Sequence, residues 1–252
     1  MKLSILGSGS RGNAFLLRAE REAILIDLGF GTLTLKNRLQ ALGESLEGLC
    51  GIFLSHEHID HIRGLKSIAR HFSVPIFATE GTWEGISSEL PLNRVVIKAG
   101  EKIFLNGFTV QAFRVPHDAR EPVGFVIEGF GHCLALATDL GSTNFLVKQR
   151  LKEAQVIVLE SNHDPEMLKQ GPYPWELKQR ILSRFGHLSN QDCGKVLSEL
   201  GTGALEQVVL AHLSQTNNTP QLAYQTVREY LEERVSLKVS SQDLPGPVIE
   251  LK

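Results

Sequence analysis

Short runs of apolar residues, each about the length of a strand and each ended by a polar or glycine-bearing turn, dominate the chain. Leu3 to Leu6 reads as a strand broken by Gly7-Ser8-Gly9-Ser10-Arg11-Gly12, and Ala14 to Leu17 resumes it. Ala23-Ile24-Leu25-Ile26 stops at Asp27 and Gly29, and Gly51-Ile52-Phe53-Leu54 runs directly into Ser55-His56-Glu57-His58. Helical spacing appears at Leu35, Leu39 and Leu42, with Gly43 as a stop, and again at Ile62, Leu65, Ile68 and Ala69. The middle predicts strands over Val95 to Ile97, Lys102 to Leu105, Thr109 to Val115, Val123 to Glu128 and Cys133 to Thr138. Asn106-Gly107 and Gly129-Phe130-Gly131 mark hairpins between them. Strands Val156 to Leu159, Gln207 to Leu210, Leu237 to Val239 and Val248 to Leu251 follow. Helices are predicted over Leu177 to Phe185, Gln191 to Leu200 and Leu222 to Leu231.

Strands in both halves with helices between them predict two sheets sandwiched by helices, in a single domain over residues 1–252. No repeat, low-complexity tract or dividing linker interrupts the chain. Polar clusters recur just after strands: Asp27, His56 to His61, His117, Asp139, Glu160 to His163, and His212. A rigid scaffold presents chemistry at such positions.

A hydrophobic share of 42% and a charged share of 21% exclude disordered and fibrous classes, and 252 residues suffice for a full core. The net charge of −2 excludes nucleic-acid binding by bulk basicity but leaves room for a local basic patch. Three cysteines without a C-x-x-C pair fit neither a disulfide framework nor a thiolate zinc site, and point to a reducing cytoplasm. No apolar run has the length of a signal-peptide core or a membrane span, so a cytoplasmic protein with no membrane partner is expected.

Ser55-His56-Glu57-His58-Ile59-Asp60-His61 is the strongest chemical signal, with four potential ligands just after an apolar strand. Histidine and carboxylate without thiolate suit Zn, Mn or Fe. His117, Asp139 and His212, each after an apolar run, supply further ligands. An aspartate between two cations can bridge them, and two such ions lower the pKa of a shared hydroxide so that it is a nucleophile at neutral pH.

The order Asp27, H-x-H-x-D-H, His117, Asp139, His212 resembles the metallo-β-lactamase superfamily over nearly the whole chain. That resemblance implies an α/β fold built as a four-layer αββα sandwich, with two divalent metal ions at one edge. His56, His58 and His117 would hold one ion. Asp60, His61 and His212 would hold the other, Asp139 would bridge, and Asp27 would orient the histidine loop from behind. Thr138-Asp139-Leu140 lacks the cysteine usual in the lactamases, which disfavours lactam hydrolysis and favours phosphodiesters.

A departing alkoxide also needs a proton, and a histidine held by a carboxylate can supply it. Glu160 and His187 resemble the pair that serves this purpose in the transfer-RNA 3′-processing branch, so Asp60, Glu160 and His187 are the catalytic candidates. The competing reading makes Glu160 a helix cap and His187 a surface residue before the N-cap Ser189-Asn190. Several segments together are more specific: Gly7 to Asn13, Glu160 to Asp164, Gly171-Pro172-Tyr173-Pro174 and Gly186 to Asn190. They resemble the YycJ (WalJ) family, which implies a 5′-to-3′ DNA exonuclease linked to repair or mutation avoidance, with DNA as substrate and DNA-repair proteins as partners. Arg11 departs from the small residue common there.

Ser8, Ser10, Asn13, Asn162, His163 and Ser189 are candidate substrate contacts, although the opening Gly-Ser turn reads equally as a structural turn. Arg63, Lys66 and Arg70, or Lys178, Arg180 and Arg184, could steer a phosphate backbone or simply be solvated. Trp83, Trp175 and Tyr173 are the candidate exposed aromatics, too few for a base-stacking platform to be evident, with Tyr173-Pro174-Trp175 a wedge or lid instead; His71 and His132 read as structural or solvated, Asp118 and Arg120 as loop residues at the entrance. The rival functions are a small-molecule phosphodiesterase or RNA-processing nuclease of the same fold, and an inactive metal-binding regulatory protein.

Overall fold

The computed structural model describes residues 1–68, 73–201 and 203–251. Among the described residues, fourteen strands form two seven-stranded sheets. The first contains β1 (Lys2–Gly7), β2 (Ala14–Ala19), β3 (Glu22–Ile26), β4 (Leu49–Phe53), β5 (Ile76–Ala78), β6 (Arg94–Val96) and β14 (Val248–Glu250), in the order β14-β1-β2-β3-β4-β5-β6. The second contains β7 (Lys102–Leu105), β8 (Phe108–Arg114), β9 (Val123–Gly129), β10 (His132–Ala137), β11 (Val156–Glu160), β12 (Gln207–Ala211) and β13 (Ser236–Val239), in the order β13-β12-β11-β10-β9-β8-β7. The helices are α1 (Thr32–Ala41), α2 (Ile59–Ile62), α3 (Leu65–Ile68), α4 (Glu80–Glu84), α5 (Phe145–Lys152), α6 (Pro165–Gln170), α7 (Trp175–Leu182), α8 (Asn190–Leu200) and α9 (Pro220–Arg228).

Three apolar layers separate four structural ones, as the αββα expectation requires. Phe15, Ile24 and Phe53 of the first sheet meet Phe108, Phe125 and Leu136 of the second. Leu16, Leu25 and Ile52 face outward onto Leu35 and Leu39 of α1 and Trp83 of α4. On the far side, Ala135, Ile157 and Val208 pack against Val147 of α5, Leu197 of α8 and Val227 of α9. The central strands are thus buried on both faces, which is why they read as unbroken apolar runs. Phe53 stacks on Phe77 at 4.5 Å and meets the edge of Phe125 at 6.0 Å, tying the sheets together. Phe53→Ala removes about 3–5 kcal/mol of stability.

β3 to β6 run parallel, as do β10 to β13. Their carboxyl ends therefore deliver the polar clusters: Asp27 after β3, Ser55 to His61 after β4, Asp139 after β10, Glu160 at the end of β11, and His212 after β12. Asp27, Asp139 and His212 all turn with positive φ, 58°, 57° and 56°. Non-glycine residues hold that conformation at a cost and cluster where function needs it.

Three local readings change. The helix after the histidine loop is split at Gly64 into α2 and α3. A Cβ at Gly64 would lie 2.3 Å from Phe30 O, and its N–H donates to Leu28 O at 2.8 Å, so the chain must pass here without a side chain. Trp83 is buried, not exposed: it is 5% accessible, and its Nε1 donates to Val95 O. The segments β5, α4, α5 and α6 carry too few periodic positions to stand out; α4 and α6 depend on the N-caps Thr79 and Asp164. Ala69, Arg70 and His71 lie outside the described residues. The three cysteines are unbonded, and among the described residues no helix is long and apolar enough to cross a membrane.

Candidate metal centre

The loop after β4 is fixed from behind by Asp27. Its Oδ1 accepts Ser55 N–H at 2.8 Å, and its Oδ2 accepts Ser55 Oγ at 2.9 Å and lies 2.7 Å from His61 Nδ1. A second anchor is the backbone of Asp60, whose carbonyl accepts Asn13 N–H at 2.8 Å. Gly29 permits this approach, since a Cβ there would sit 1.8 Å from Asp60 O.

His56, His61, His117 and His212 use Nδ1 for positioning. His56 Nδ1 lies 3.0 Å from Ser55 Oγ, and His117 Nδ1 lies 3.1 Å from Gly186 O. His212 Nδ1 lies 2.9 Å from Glu160 Oε1. Fixing one ring nitrogen orients the other, the arrangement used to aim imidazoles at a metal. The freed Nε2 atoms converge with the carboxylates. His61 Nε2 is 3.2 Å from Asp139 Oδ2, and His212 Nε2 is 3.3 Å from Asp139 Oδ1 and 3.6 Å from Asp60 Oδ2.

Two groups of donor atoms result, His56/His58/His117 and Asp60/His61/Asp139/His212, each with its atoms within 4.8 Å of one another. His56 Nε2, His117 Nε2, His212 Nε2 and Asp139 Oδ2 are buried and have no hydrogen-bond partner. Buried polar atoms are normally satisfied, so four orphans aimed at one region fit cations held between them. A third grouping adds Glu160 and His187. Glu160 is already committed, because its Oε2 accepts Leu140 N–H at 2.8 Å and Leu188 N–H at 3.2 Å while its Oε1 serves two histidines. It therefore orients two imidazoles and has no oxygen left without a partner.

The two groups differ electrostatically. Burial pushes His56 and His117 below the ordinary imidazole range, with neighbouring histidines adding to the effect, so their lone pairs are free. At His61 and His212 burial acts the same way but is outweighed, by Asp27, Asp139 and Asp60 for the first and by Asp139, Asp60 and Glu160 for the second, so both rise. Burial also opposes ionisation of Glu160, yet His187 and His212 hold it down to about 2. His187 lies 2.7 Å from Glu160 Oε1 and is raised, burial being outweighed by that carboxylate.

A cavity of about 280 Å³ opens over the centre, lined by His58, Asp60, His117, Asp139, His187 and His212. A larger one of about 650 Å³, beside α1 at Phe30 and Leu35, contains none of these residues.

Of the substrate-contact candidates, Ser10 and Asn162 line the active cavity. Ser8 and Asn13 are buried: Ser8 Oγ donates to Asn13 Oδ1 and accepts His212 N–H, and Asn13 Nδ2 donates to Asp60 Oδ2. They brace the loops. Ser189 Oγ caps α8 by accepting Asp192 N–H at 3.1 Å. His163 is buried, neither of its ring nitrogens has a partner, and burial pushes it down to about 4. Lys178 donates to Lys169 O, whereas Arg180 pairs with Asp118 at 2.7 Å on the cavity rim. Arg120 pairs with Glu84. Sequence reasoning missed Ser55, whose only signal is its place before H-x-H. It also missed Gln242, which accepts Arg11 N–H at 2.8 Å and so fastens the opening turn to the far end of the chain.

The family model of the beta-lactamase superfamily domain matches residues 22–213. Over 93% of its length the chain is 35% identical to exodeoxyribonuclease YycJ of Bacillus anthracis, covering 90% of that protein. It is 32% identical to exodeoxyribonuclease WalJ of Streptococcus pneumoniae strain D39, over 99% of this chain and 98% of that one. The chain belongs to the YycJ/WalJ family of the beta-lactamase superfamily. The same fold is seen in YhfI of Bacillus subtilis, a metallo-beta-lactamase fold protein, with a TM-score of 0.76, 16% identity and 99% coverage of both chains. Membership of the YycJ/WalJ family agrees with the order of motifs from Gly7 to His212, and with Asp139 in place of a cysteine.

Proposed function

We propose that the protein is a metal-dependent exodeoxyribonuclease that hydrolyses DNA phosphodiester bonds stepwise from the 5′ end. The observation that carries the chemistry is the convergence of buried, unpartnered His56, His117, His212 and Asp139 atoms beneath an open cavity. DNA as substrate is supported by the exodeoxyribonuclease relatives that align along nearly the whole chain.

Two divalent ions, Zn, Mn or Fe, would be held by His56, His58 and His117 on one side and by Asp60, His61 and His212 on the other, with Asp139 between. Such ions supply Lewis acidity to phosphoryl oxygens and lower the pKa of bound water. The chain's own residues do the rest. Asp27, Ser55 and Glu160 fix the imidazole orientations, and Asp60 presents its carboxylate at the cavity floor. His187 lines the cavity with Nδ1 on Glu160, so its other nitrogen can hand a proton to the departing sugar oxygen while Glu160 balances the imidazolium charge.

The test uses DNA labelled separately at each end, with protein loaded with Mn²⁺ or Zn²⁺ and a chelated control. Mononucleotides released from the 5′ label first, and none after chelation, are expected. Uncut DNA beside metal-dependent turnover of a small aryl phosphodiester overturns the substrate assignment and keeps the mechanism.

A further inference from the structure

One wall of the active cavity has a chemistry its floor does not share. Leu177, Arg180 and Ile181, spaced i, i+3, i+4 on α7, line it together with Tyr173 and Phe185. Tyr173 sits between Pro172 and Pro174, which restrict its backbone and hold it in place. Phe185 is 44% exposed and Leu177 36%.

Phe185 has two separable jobs. Its backbone builds the loop that carries His187: its carbonyl accepts Asp118 N–H at 3.0 Å, and its N–H donates to Ser183 Oγ at 3.3 Å. The ring meets that loop only at the Arg184 guanidinium, which lies over one of its faces. It joins none of the three apolar layers and lies open beside the cavity, with the Arg184 guanidinium 4.6 Å from its centre. An exposed aromatic face that opens on a catalytic cavity is a surface waiting for a flat partner.

Building on the nuclease reading, we infer that this wall is a base-stacking subsite: the nucleobase next to the cleaved phosphate lies on Phe185, bounded by Tyr173 and Leu177, while Arg180 meets a backbone phosphate. Charge supports that occupant. Arg180 and Asp118 are both more than half exposed, and exposed pairs contribute little, so Arg180 exchanges Asp118 for phosphate at little cost. Stacking is indifferent to base identity, as an exonuclease working along any sequence requires. Volume supports it too. A cavity of about 280 Å³ is at the lower end for small-ligand sites, a size that suits one nucleotide at the reacting phosphate.

The experiment is a double-mutant cycle between the protein and its substrate. The metal-loaded enzyme and Phe185→Ala are each given a single-stranded oligonucleotide with an intact 5′-terminal nucleotide and one abasic at that position. Removing either the ring or the base should lower kcat/KM about tenfold, removing both should be no worse than removing one, and Phe185→Trp should restore the rate. Turnover of methyl p-nitrophenyl phosphate, which has no base, should be equal in wild type and variant. If that rate falls as well, Tyr173→Ala, a change outside the 183–187 loop, takes the place of Phe185→Ala in the same cycle. Losses that simply multiply, or no loss at all, overturn the subsite and leave the nuclease reading standing. Wild-type protein that cuts neither oligonucleotide overturns the nuclease reading and the subsite with it.

Discussion

Glu160 offers one oxygen, Oε1, to two histidines: His187 Nδ1 at 2.7 Å and His212 Nδ1 at 2.9 Å. The first histidine is the proposed proton donor and the second a proposed metal ligand. One fully buried carboxylate thus couples the aim of a ligand to the charge state of the acid.

Substituting the two partners separates these roles. His187→Ala should leave metal content unchanged and lower turnover by about 10²- to 10⁴-fold. Glu160→Gln should lower turnover and also weaken metal binding about 10- to 100-fold, because His212 loses its anchor too. Metal titration and steady-state rates on the same preparations decide the matter; a full rate in His187→Ala would remove it from the mechanism.

Asp27 acts at a distance from the cavity and should behave differently. It is fully buried, and its carboxylate hydrogen-bonds Ser55 and His61. Asp27→Asn keeps a residue that tolerates φ near 58°, so the fold should survive. The amide has one acceptor oxygen where the carboxylate has two, so it cannot keep the Ser55 N–H bond together with those to Ser55 Oγ and His61, and metal affinity should fall about 10- to 100-fold with KM for DNA little changed. A KM effect without a metal effect would contradict this assignment.

The strand-end histidines and aspartates were legible because doubly buried strands leave long apolar signals, and the residues that follow stand out against them. Ser8 and Asn13 were legible as polar residues in a turn but not as braces, since their partners Asp60 and His212 come from other strand ends. Gln242 gave no signal at all: its contact with Arg11 spans 231 residues, and no local pattern encodes it. Glu160 was read as the partner of His187 alone. Its second partner, His212, is close only because β11 and β12 are adjacent and parallel, a pairing that no spacing along the chain reveals. Trp83 was misjudged for a related reason, its burial being set by α4 packing onto the outer face of the first sheet.

Chelation should destabilise the protein as well as silence it. Without cations, Asp60 and Asp139 share a small volume, and several imidazole nitrogens stay buried and unpaired. A ligand at one hundred times its Kd adds about 2.7 kcal/mol, and for a domain of this size each kcal/mol moves Tm by about 2–4 °C. Calorimetry should therefore give a Tm about 5–10 °C higher with Mn²⁺ or Zn²⁺ than with chelator. Asp139→Ala should abolish that difference together with activity. An equal shift in Asp139→Ala would place the stabilising ion elsewhere.

Far from the cavity, Glu44 provides a pH test of the fold alone. Burial opposes its ionisation, but hydrogen bonds from Lys2 and Arg18, with Ser4 Oγ at 3.1 Å, outweigh burial and lower its pKa. A carboxylate whose folded pKa lies below its unfolded one binds fewer protons when folded. Its contribution is therefore complete above the ordinary carboxylate range and is lost as the pH falls through the folded value. Wild type should exceed Glu44→Gln by about 1–3 kcal/mol at pH 7, and the gap should close as the pH drops below about 4. Urea unfolding of both proteins across that range measures it, and turnover per folded molecule at neutral pH should be the same in each. A gap that stayed constant with pH would mean that Glu44 contributes packing and neutral hydrogen bonds, not charge.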